Sequence, residues 1–301
     1  MPELPEVVTI ANGVHERVHG DWIDSVWLGS KPEPLKSPPD LIAQTLTGSR
    51  IERVHRVGKT IVFDLLKPAS DVIPDPCSLI PVQFLVHLGM TGRLLVSHAD
   101  VPVPPHTHWI GRLRSGRELR FVDARRFGRL SVVLPSDRLA HPSAGGGNPS
   151  DRAEQGKRGY QGTGREPLTI SPEDFAALFH PRKTPIKAAL LNQTLLHGVG
   201  NIYADEALFR AGIRPLRRAS SLTRAELARL RTSLQEVLRH AISLGGSSVS
   251  DYVDADGVRG FFQLEHRVYM RTGQPCLVCG RPIKRIVLAG RGTHYCTGCQ
   301  H

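Results

Sequence analysis

The sequence has no run of about 18 apolar residues, the length that a membrane-crossing helix needs, so no span is expected. Its opening residues, MPELPEVVTI, lack the charged-then-apolar layout of a secretory signal. No internal repeat is visible. Cysteine is scarce, five in 301 residues. In the reducing cytosol that the missing signal suggests, clustered cysteines serve metals rather than disulfides. Acidic residues are also short: 28 Asp and Glu stand against 39 Lys and Arg, a formal charge of +11 with a pI near 9.9. That excess favours an anionic partner, nucleic acid being the commonest. A basic protein that is merely soluble is the alternative on charge alone. A length of 301 residues leaves room for about two domains with cores of their own.

The first 135 residues read mainly as strands. WIDSVWL, RIERVHRVGKTIVFDLL, PVQFLVHLGMTGRLLVS, RELRFV and GRLSVVLP are short, β-branched and separated by Gly or Pro turns. One helix is expected before them, from about Pro5 to Val18, with proline in its first turn. From about Pro135 to Arg165 the chain turns rich in Gly, Ser and charge, the composition of a linker or inserted loop. Helices follow. Ser171 and Pro172 offer an N-cap and first helical residue, and Thr223 with Glu226 a capping box. Leu227, Leu230, Leu234, Leu238 and Ala241 then recur at helical steps until Gly245 supplies the stop.

Cys276, Cys279, Cys296 and Cys299 form a C-x2-C…C-x2-C frame with ribbon-like spacing. Such pairs meet around one tetrahedral Zn²⁺, and four thiolates make a closed, structural site. The metal-free alternative, a reduced dithiol pair, leaves a small module with little core. Cys77 is left over as a plain core or loop residue. Arg291, between Gly290 and Gly292, suits a hairpin tip from which it either touches phosphate or simply stands in solvent. In LLHGVGNIYADEALFRAGIRP, Gly198 and Gly200 precede Asn201 and a helical pattern that puts Ile202, Ala207, Leu208 and Ala211 on a core face. That helix start is either an anion site or an ordinary Asn cap.

Taken together, MPELPEV, VGKT, HLGMTGRL, DARRFG, KTPIKAALLNQTLLHGVGNIYADEALFRAGIRP, GGSSVSDYVDADGVRGFF and PCLVCGRPI…YCTGCQ resemble the bacterial formamidopyrimidine-DNA glycosylase family in the same order. The resemblance implies an α+β multidomain chain: an N-terminal antiparallel β-sandwich with flanking helices, a helical domain with a helix–two-turn–helix, and a C-terminal zinc finger. The corresponding boundaries are 1–135 for the catalytic sandwich, 136–165 for the Gly-rich linker or insert, 166–265 for the helical domain and 266–301 for the zinc finger. It further implies a bifunctional glycosylase and abasic-site lyase of base excision repair, excising oxidised purines. Such an enzyme acts on damaged double-stranded DNA as a monomer in the bacterial cytosol or nucleoid, with one structural Zn²⁺ and no membrane.

The resemblance gives roles to named residues. Pro2, freed by removal of Met1, becomes a secondary amine and the nucleophile. A terminal amine has a pKa of about 7.7–8.0, so roughly a tenth is neutral at pH 7. A following helix start lowers that value, while Glu3 and Glu6 raise it. Attack on the sugar carbon yields an iminium whose positive charge acts as an electron sink for elimination of the 3′ and then the 5′ phosphate. Glu3 matches the general acid/base and Glu6 a supporting carboxylate. Lys59 matches the lysine that aids β-elimination, and Arg291 the arginine of δ-elimination. Met90, Arg125 and Phe127 match residues that fill the gap left by a flipped base; at strand spacing such residues are otherwise core. His106, Arg126 and Lys183 match DNA-contact positions, Lys187 a lysine near the damaged nucleotide, and Asn201 a phosphate ligand.

Two departures stand out. After MPELPEV the family commonly continues with Glu-Thr and arginines, whereas this chain reads VTIANGV, and the Gly-rich insert has no clear counterpart. Two rivals remain at this point: a Nei-like glycosylase for oxidised pyrimidines and an inactive DNA-binding homologue. Leu4 and the long GGSSVSDYVDADGVRGFF loop favour the purine branch over the first; intact Pro2, Glu3 and Lys59 speak against the second.

Overall fold

A computed structural model describes residues 1–69, 79–135, 159–160, 162–248 and 255–301. The expectations for Cys77, for most of the Gly-rich insert and for the middle of the GGSSVSDYVDADGVRGFF loop lie outside the described residues. Two compact units are present: Met1–Pro2 with Glu6–Gln161 and Ser248–Gly260, and Glu3–Pro5 with Gly162–Ser247 and Phe261–His301.

The first unit is built on two antiparallel sheets of four strands each. One has the order β1 (Ile23–Leu28), β6 (Thr107–Leu113), β7 (Arg117–Val122) and β5 (Arg93–His98). The other runs β2 (Arg50–Val57), β3 (Thr60–Pro68), β4 (Leu79–His87) and β8 (Arg129–Val133). Inward positions such as Ile61, Phe63, Leu65, Phe84 and Val86 from one sheet and Leu94, Trp109, Leu119 and Phe121 from the other share one core. The Phe84 and Trp109 rings, 4.9 Å apart, join the two faces. Helix α1 (Leu4–Val18) adds Val7, Ile10, Ala11, Val14 and Val18, the 3.6-period stripe of an amphipathic helix.

All the expected strand segments fold as strands, and RIERVHRVGKTIVFDLL is one hairpin. Two elements escape the sequence reading. Helix α2 (Pro39–Leu46) starts behind Pro38 with no side-chain cap, so the usual start signal is missing. Strand β6 contains Gly111, which weakens any strand pattern. Its purpose is steric: the Trp109 indole folds across Gly111, and a Cβ there would lie 2.7 Å from the ring.

In the second unit, α3 (Pro172–Phe179) begins as its sequence indicates, with the Ser171 hydroxyl accepting from the Asp174 amide at 3.0 Å. After the short α4 (Ile186–Leu190) comes α5 (Asn201–Arg210), buried almost all round. Helix α6 (Arg224–Ser243) carries the full Thr223–Glu226 capping box and buries its leucine stripe. It stops in a Schellman arrangement, Gly246 N–H to Ala241 O at 2.8 Å and Gly245 N–H to Ile242 O at 3.0 Å, with both glycines at positive φ. The hairpin β9 (Lys284–Leu288) and β10 (Arg291–Tyr295) ends the chain. Glu206 on α5 accepts the consecutive amides of Arg267, Val268 and Tyr269 at 2.8–3.0 Å, although burial pushes its carboxyl pKa up. Among the described residues no helix is long and apolar enough to cross a membrane.

Gly111→Ala is expected to displace the Trp109 ring and lower stability by about 2 kcal/mol, the cost of overpacking a filled core. Equilibrium denaturation checks this; an unchanged midpoint would show that the ring contact is slack.

Candidate nucleic-acid interface and metal centre

In the first unit the strand register gathers three loops at one end of one sheet. Thr60 pairs with His87 and His87 with Arg129, so the β2–β3 turn, the β4–β5 loop and the loop before β8 are neighbours. Gly58 at φ 62° and Lys59 form the two-residue β2–β3 turn, which presents Lys59, half-buried, at that end. Arg56 donates to the Gly58 carbonyl at 3.1 Å and braces the turn. In the β4–β5 loop, Gly89 N–H donates to His87 Nδ1 at 3.1 Å, which requires an unprotonated ring nitrogen. Burial, then Arg129 and Lys59, hold the His87 pKa below its ordinary value, as that bond needs.

Met90 and Phe127 are 41% and 52% exposed, so the core reading of these two residues is excluded. The Arg125 guanidinium stacks on the Phe127 ring at 4.8 Å. Arg126 is exposed, in the left-handed region at φ 57°, and pairs with exposed Glu33 at 2.6 Å, a contact weak enough to exchange for another anion. His106 is also exposed, with φ 66°.

What fixes these loops is a residue the sequence reading missed. Asp123, fully buried, accepts from Thr91 Oγ1 at 2.5 Å, from Arg125 N–H at 3.2 Å and from Gly128 N–H at 2.7 Å. One carboxylate therefore clips the Met90 loop to the Arg125–Phe127 loop. An available signal was the Asp-Ala-Arg order, since an Asp that bonds the amide two residues on is a turn former.

The second unit assembles Glu3, Lys187, Asn201 and Arg291. Gly200 caps α5 and Asn201 is its first helical residue, so Asn201 is not the cap. Gly198 sits at φ 90°, and its carbonyl accepts the Leu4 amide at 3.0 Å. A Cβ on Gly200 would overlap the Glu3 carboxylate, which instead accepts Ile202 N–H at 3.2 Å. An anion thus does occupy the helix start, and it is the protein's own. Asn201 Nδ2 donates to Gly292 O at 3.0 Å. Lys187, fully buried, donates to Gly292 O at 2.9 Å and Thr293 Oγ1 at 2.8 Å, and lies 2.7 Å from Asp205 Oδ1. Burial pulls its ammonium below the ordinary lysine range, and Asp205 opposes that pull. Arg291 is exposed and follows the Ala289–Gly290 turn, both residues at positive φ as a type I′ hairpin requires. Lys183 is exposed just before α4.

The Sγ atoms of Cys276, Cys279, Cys296 and Cys299 all lie within 4.8 Å of one another, with Cys279–Cys296 at 3.3 Å and Cys276–Cys299 at 3.8 Å. Tetrahedral Zn–S bonds of about 2.3 Å put the sulfurs roughly 3.8 Å apart, so the cluster fits one Zn²⁺ with no open position. Burial pushes the Cys276 thiol up, but the amides of Cys279 and Val278 together with the Cys296 and Cys299 sulfurs outweigh it and bring the pKa to about 7. A Cβ at Gly298 would lie 3.0 Å from Cys279 Sγ, tighter than most real contacts, so glycine suits this position.

Asp123→Ala leaves the Arg125 and Gly128 amides without their acceptor. It should cost about 2 kcal/mol and speed exchange of those two amides; unchanged exchange would show that the loops hold themselves. Chelation is expected to remove one zinc per chain and unfold residues 273–301 first, which amide exchange along the chain would reveal. Protection retained there after metal loss would deny the ion its structural part.

Three family models match the chain in order: the formamidopyrimidine-DNA glycosylase N-terminal domain over residues 1–130, its H2TH domain over 163–253, and the zinc finger found in FPG and IleRS over 273–301. The formamidopyrimidine-DNA glycosylase of Solibacter usitatus is 41% identical over 300 residues, covering 100% of this chain and 99% of that protein. That of Listeria monocytogenes is 37% identical over 302 residues, with both chains fully covered. Among solved structures, the MutM (Fpg) protein of Thermus thermophilus aligns with a TM-score of 0.78 at 40% identity, covering 99% of this chain and 98% of that one. Lactococcus lactis Fpg bound to abasic-site DNA aligns with a TM-score of 0.80 at 31% identity and 99% coverage of both chains. With identity of this level running the full length through all three modules, the chain belongs to the formamidopyrimidine-DNA glycosylase family.

Proposed function

We propose that this chain is a bifunctional DNA glycosylase and abasic-site lyase. It removes oxidised purines, 8-oxoguanine and formamidopyrimidines, from double-stranded DNA, acting as a monomer in the bacterial cytosol. The observation that carries the reading is the Glu3 carboxylate seated on the α5 start. It fixes the backbone of the residue directly bonded to Pro2. With Met1 attached, the Pro2 nitrogen is an amide and no nucleophile; with Met1 removed it is a secondary amine.

The chemistry follows from that nitrogen. Its lone pair bonds to the sugar C1′, the glycosidic bond breaks, and the base departs with the bonding pair and takes a proton from solvent. Opening of the sugar ring then gives a C1′ iminium, which needs no added proton because a secondary amine forms a cation directly. In this reading the Glu3 carboxylate, held at the helix start, takes the N–H proton as the amine attacks and then delivers it to the ring oxygen. A base then takes a C2′ proton, the C–H pair flows towards the iminium, and the 3′ phosphate leaves with the C3′–O bonding pair. A second elimination expels the 5′ phosphate, and water releases the sugar fragment. Lys59 assists the first elimination and Arg291 the second.

The base must first leave the duplex at a cost of a few kcal/mol. Exposed Met90 and the Arg125–Phe127 stack, locked together through Asp123, support a wedge that fills the gap. Arg126, His106, Lys183 and Asn201 are assigned to the phosphate backbone, with Lys187 behind the damaged nucleotide. Domain limits of 1–135, 136–165, 166–265 and 266–301 go with this reading. Structures of the Lactococcus lactis relative include both Fapy-dG DNA and DNA with an oxidised pyrimidine, so a pyrimidine lesion belongs in the assay.

Borohydride trapping on 8-oxoguanine, formamidopyrimidine and thymine glycol duplexes tests the reading. A covalent adduct mapped to Pro2 is expected, strongest on purine lesions. It should vanish when Met1 is retained, and Glu3→Gln should slow base release by about 10²–10⁴-fold. Binding without any adduct would establish the inactive homologue instead, and preference for thymine glycol the pyrimidine enzyme.

A further inference from the structure

The Lys187 ammonium donates to Gly292 O and Thr293 Oγ1, and pairs with Asp205 Oδ1 at 2.7 Å. Two of those partners belong to the residues that directly follow Arg291. The Thr293 hydroxyl, accepting from Lys187, in turn donates to the Arg291 carbonyl at 3.2 Å. Gly292 O accepts a second bond from Asn201. The Gly292 carbonyl is therefore gripped directly from the helical part of the unit, and the Arg291 carbonyl through the Thr293 hydroxyl that Lys187 holds.

Asp205 completes the grip. It is fully buried on α5; one oxygen faces Lys187, and the other accepts His294 N–H at 2.8 Å and lies 3.2 Å from His294 Nδ1. The same carboxylate thus fixes the ammonium and anchors β10 three residues beyond Arg291. Removing one partner of such a buried pair leaves an uncompensated charge and is strongly destabilising.

We propose that Asp205 and Lys187 form a positioning latch for Arg291, holding the base of its side chain so that the guanidinium meets the phosphate in one geometry. This rests on the reading above in which Arg291 serves δ-elimination. On that reading, Lys187 acts through the hairpin and not by contact with the damaged nucleotide, and Asp205 becomes a functional residue with no part in binding DNA.

The test uses the full-length, zinc-loaded protein with Lys187→Met, Asp205→Asn and the double variant. Each single change leaves a buried charge alone, so those variants are expected to melt early. The double variant removes both charges and is expected to recover thermal stability. Amide exchange at residues 291–293 should rise about tenfold or more in all three. The ratio of β- to δ-elimination product from a preformed abasic site should rise by a similar factor, the usual consequence of small misplacement. A folded double variant with wild-type exchange at the tip would overturn the latch. Faster exchange with an unchanged product ratio would overturn its part in the reaction. Arg291→Ala serves as the control. If that variant keeps the wild-type ratio, the assignment of Arg291 fails, and the exchange result alone decides the latch.

Discussion

Burial of a charge is the constraint around which the second unit is arranged. Lys187 and Asp205 are both withdrawn from water, and an unpaired ion in that position would cost several kcal/mol. Each is tolerable only while the other, and the hydrogen-bonding groups around them, stay in place. Those groups are the Gly292 carbonyl, the Thr293 hydroxyl and the His294 amide, all on the strand that follows the zinc-finger tip. Displacing the hairpin would leave two charges partly unsolvated, so the ion pair converts an electrostatic penalty into rigidity. The cysteine cluster fixes the other end of the same hairpin. Two independent devices therefore hold one exposed arginine.

The same logic recurs in the first unit with one charge. The Asp123 carboxylate is buried without a cationic partner among its hydrogen bonds, and three donors from two loops satisfy it. Because one carboxylate serves donors from both loops, the Met90 and Phe127 loops are set together rather than separately. Exposed apolar tips on a rigid base suit insertion between stacked bases, where a flexible wedge would lose conformational freedom on binding. Glu3 adds a third case: its side chain takes the space at Gly200 and satisfies an α5 amide.

Much of this was legible in the sequence. The Ser171 cap, the Thr223–Glu226 box, the leucine stripe of α6 and the Cys₄ frame follow from local spacing, and each was found where that spacing indicated. The β2–β3 hairpin around Gly58 and Lys59 belongs to the same class. Missed features depended on distant partners or on packing. Gly111 in β6 looks like a flaw in a strand until Trp109 is seen lying across it. Asp205 and Glu206 look like solvated helix acids until β10 and residues 267–269 supply their donors.

The sequence by itself determined the chemical inventory: a proline behind Met1, carboxylates beside it, four cysteines for one zinc, a net positive charge and the local signals that start and stop helices. Only the tertiary structure decided which groups meet. Local hydrogen bonds and periodicity act within a few residues and so can be read along the chain. The partners of Asp123, Lys187 and Glu3 lie up to 199 positions away and become neighbours only once the sheets and helices have packed.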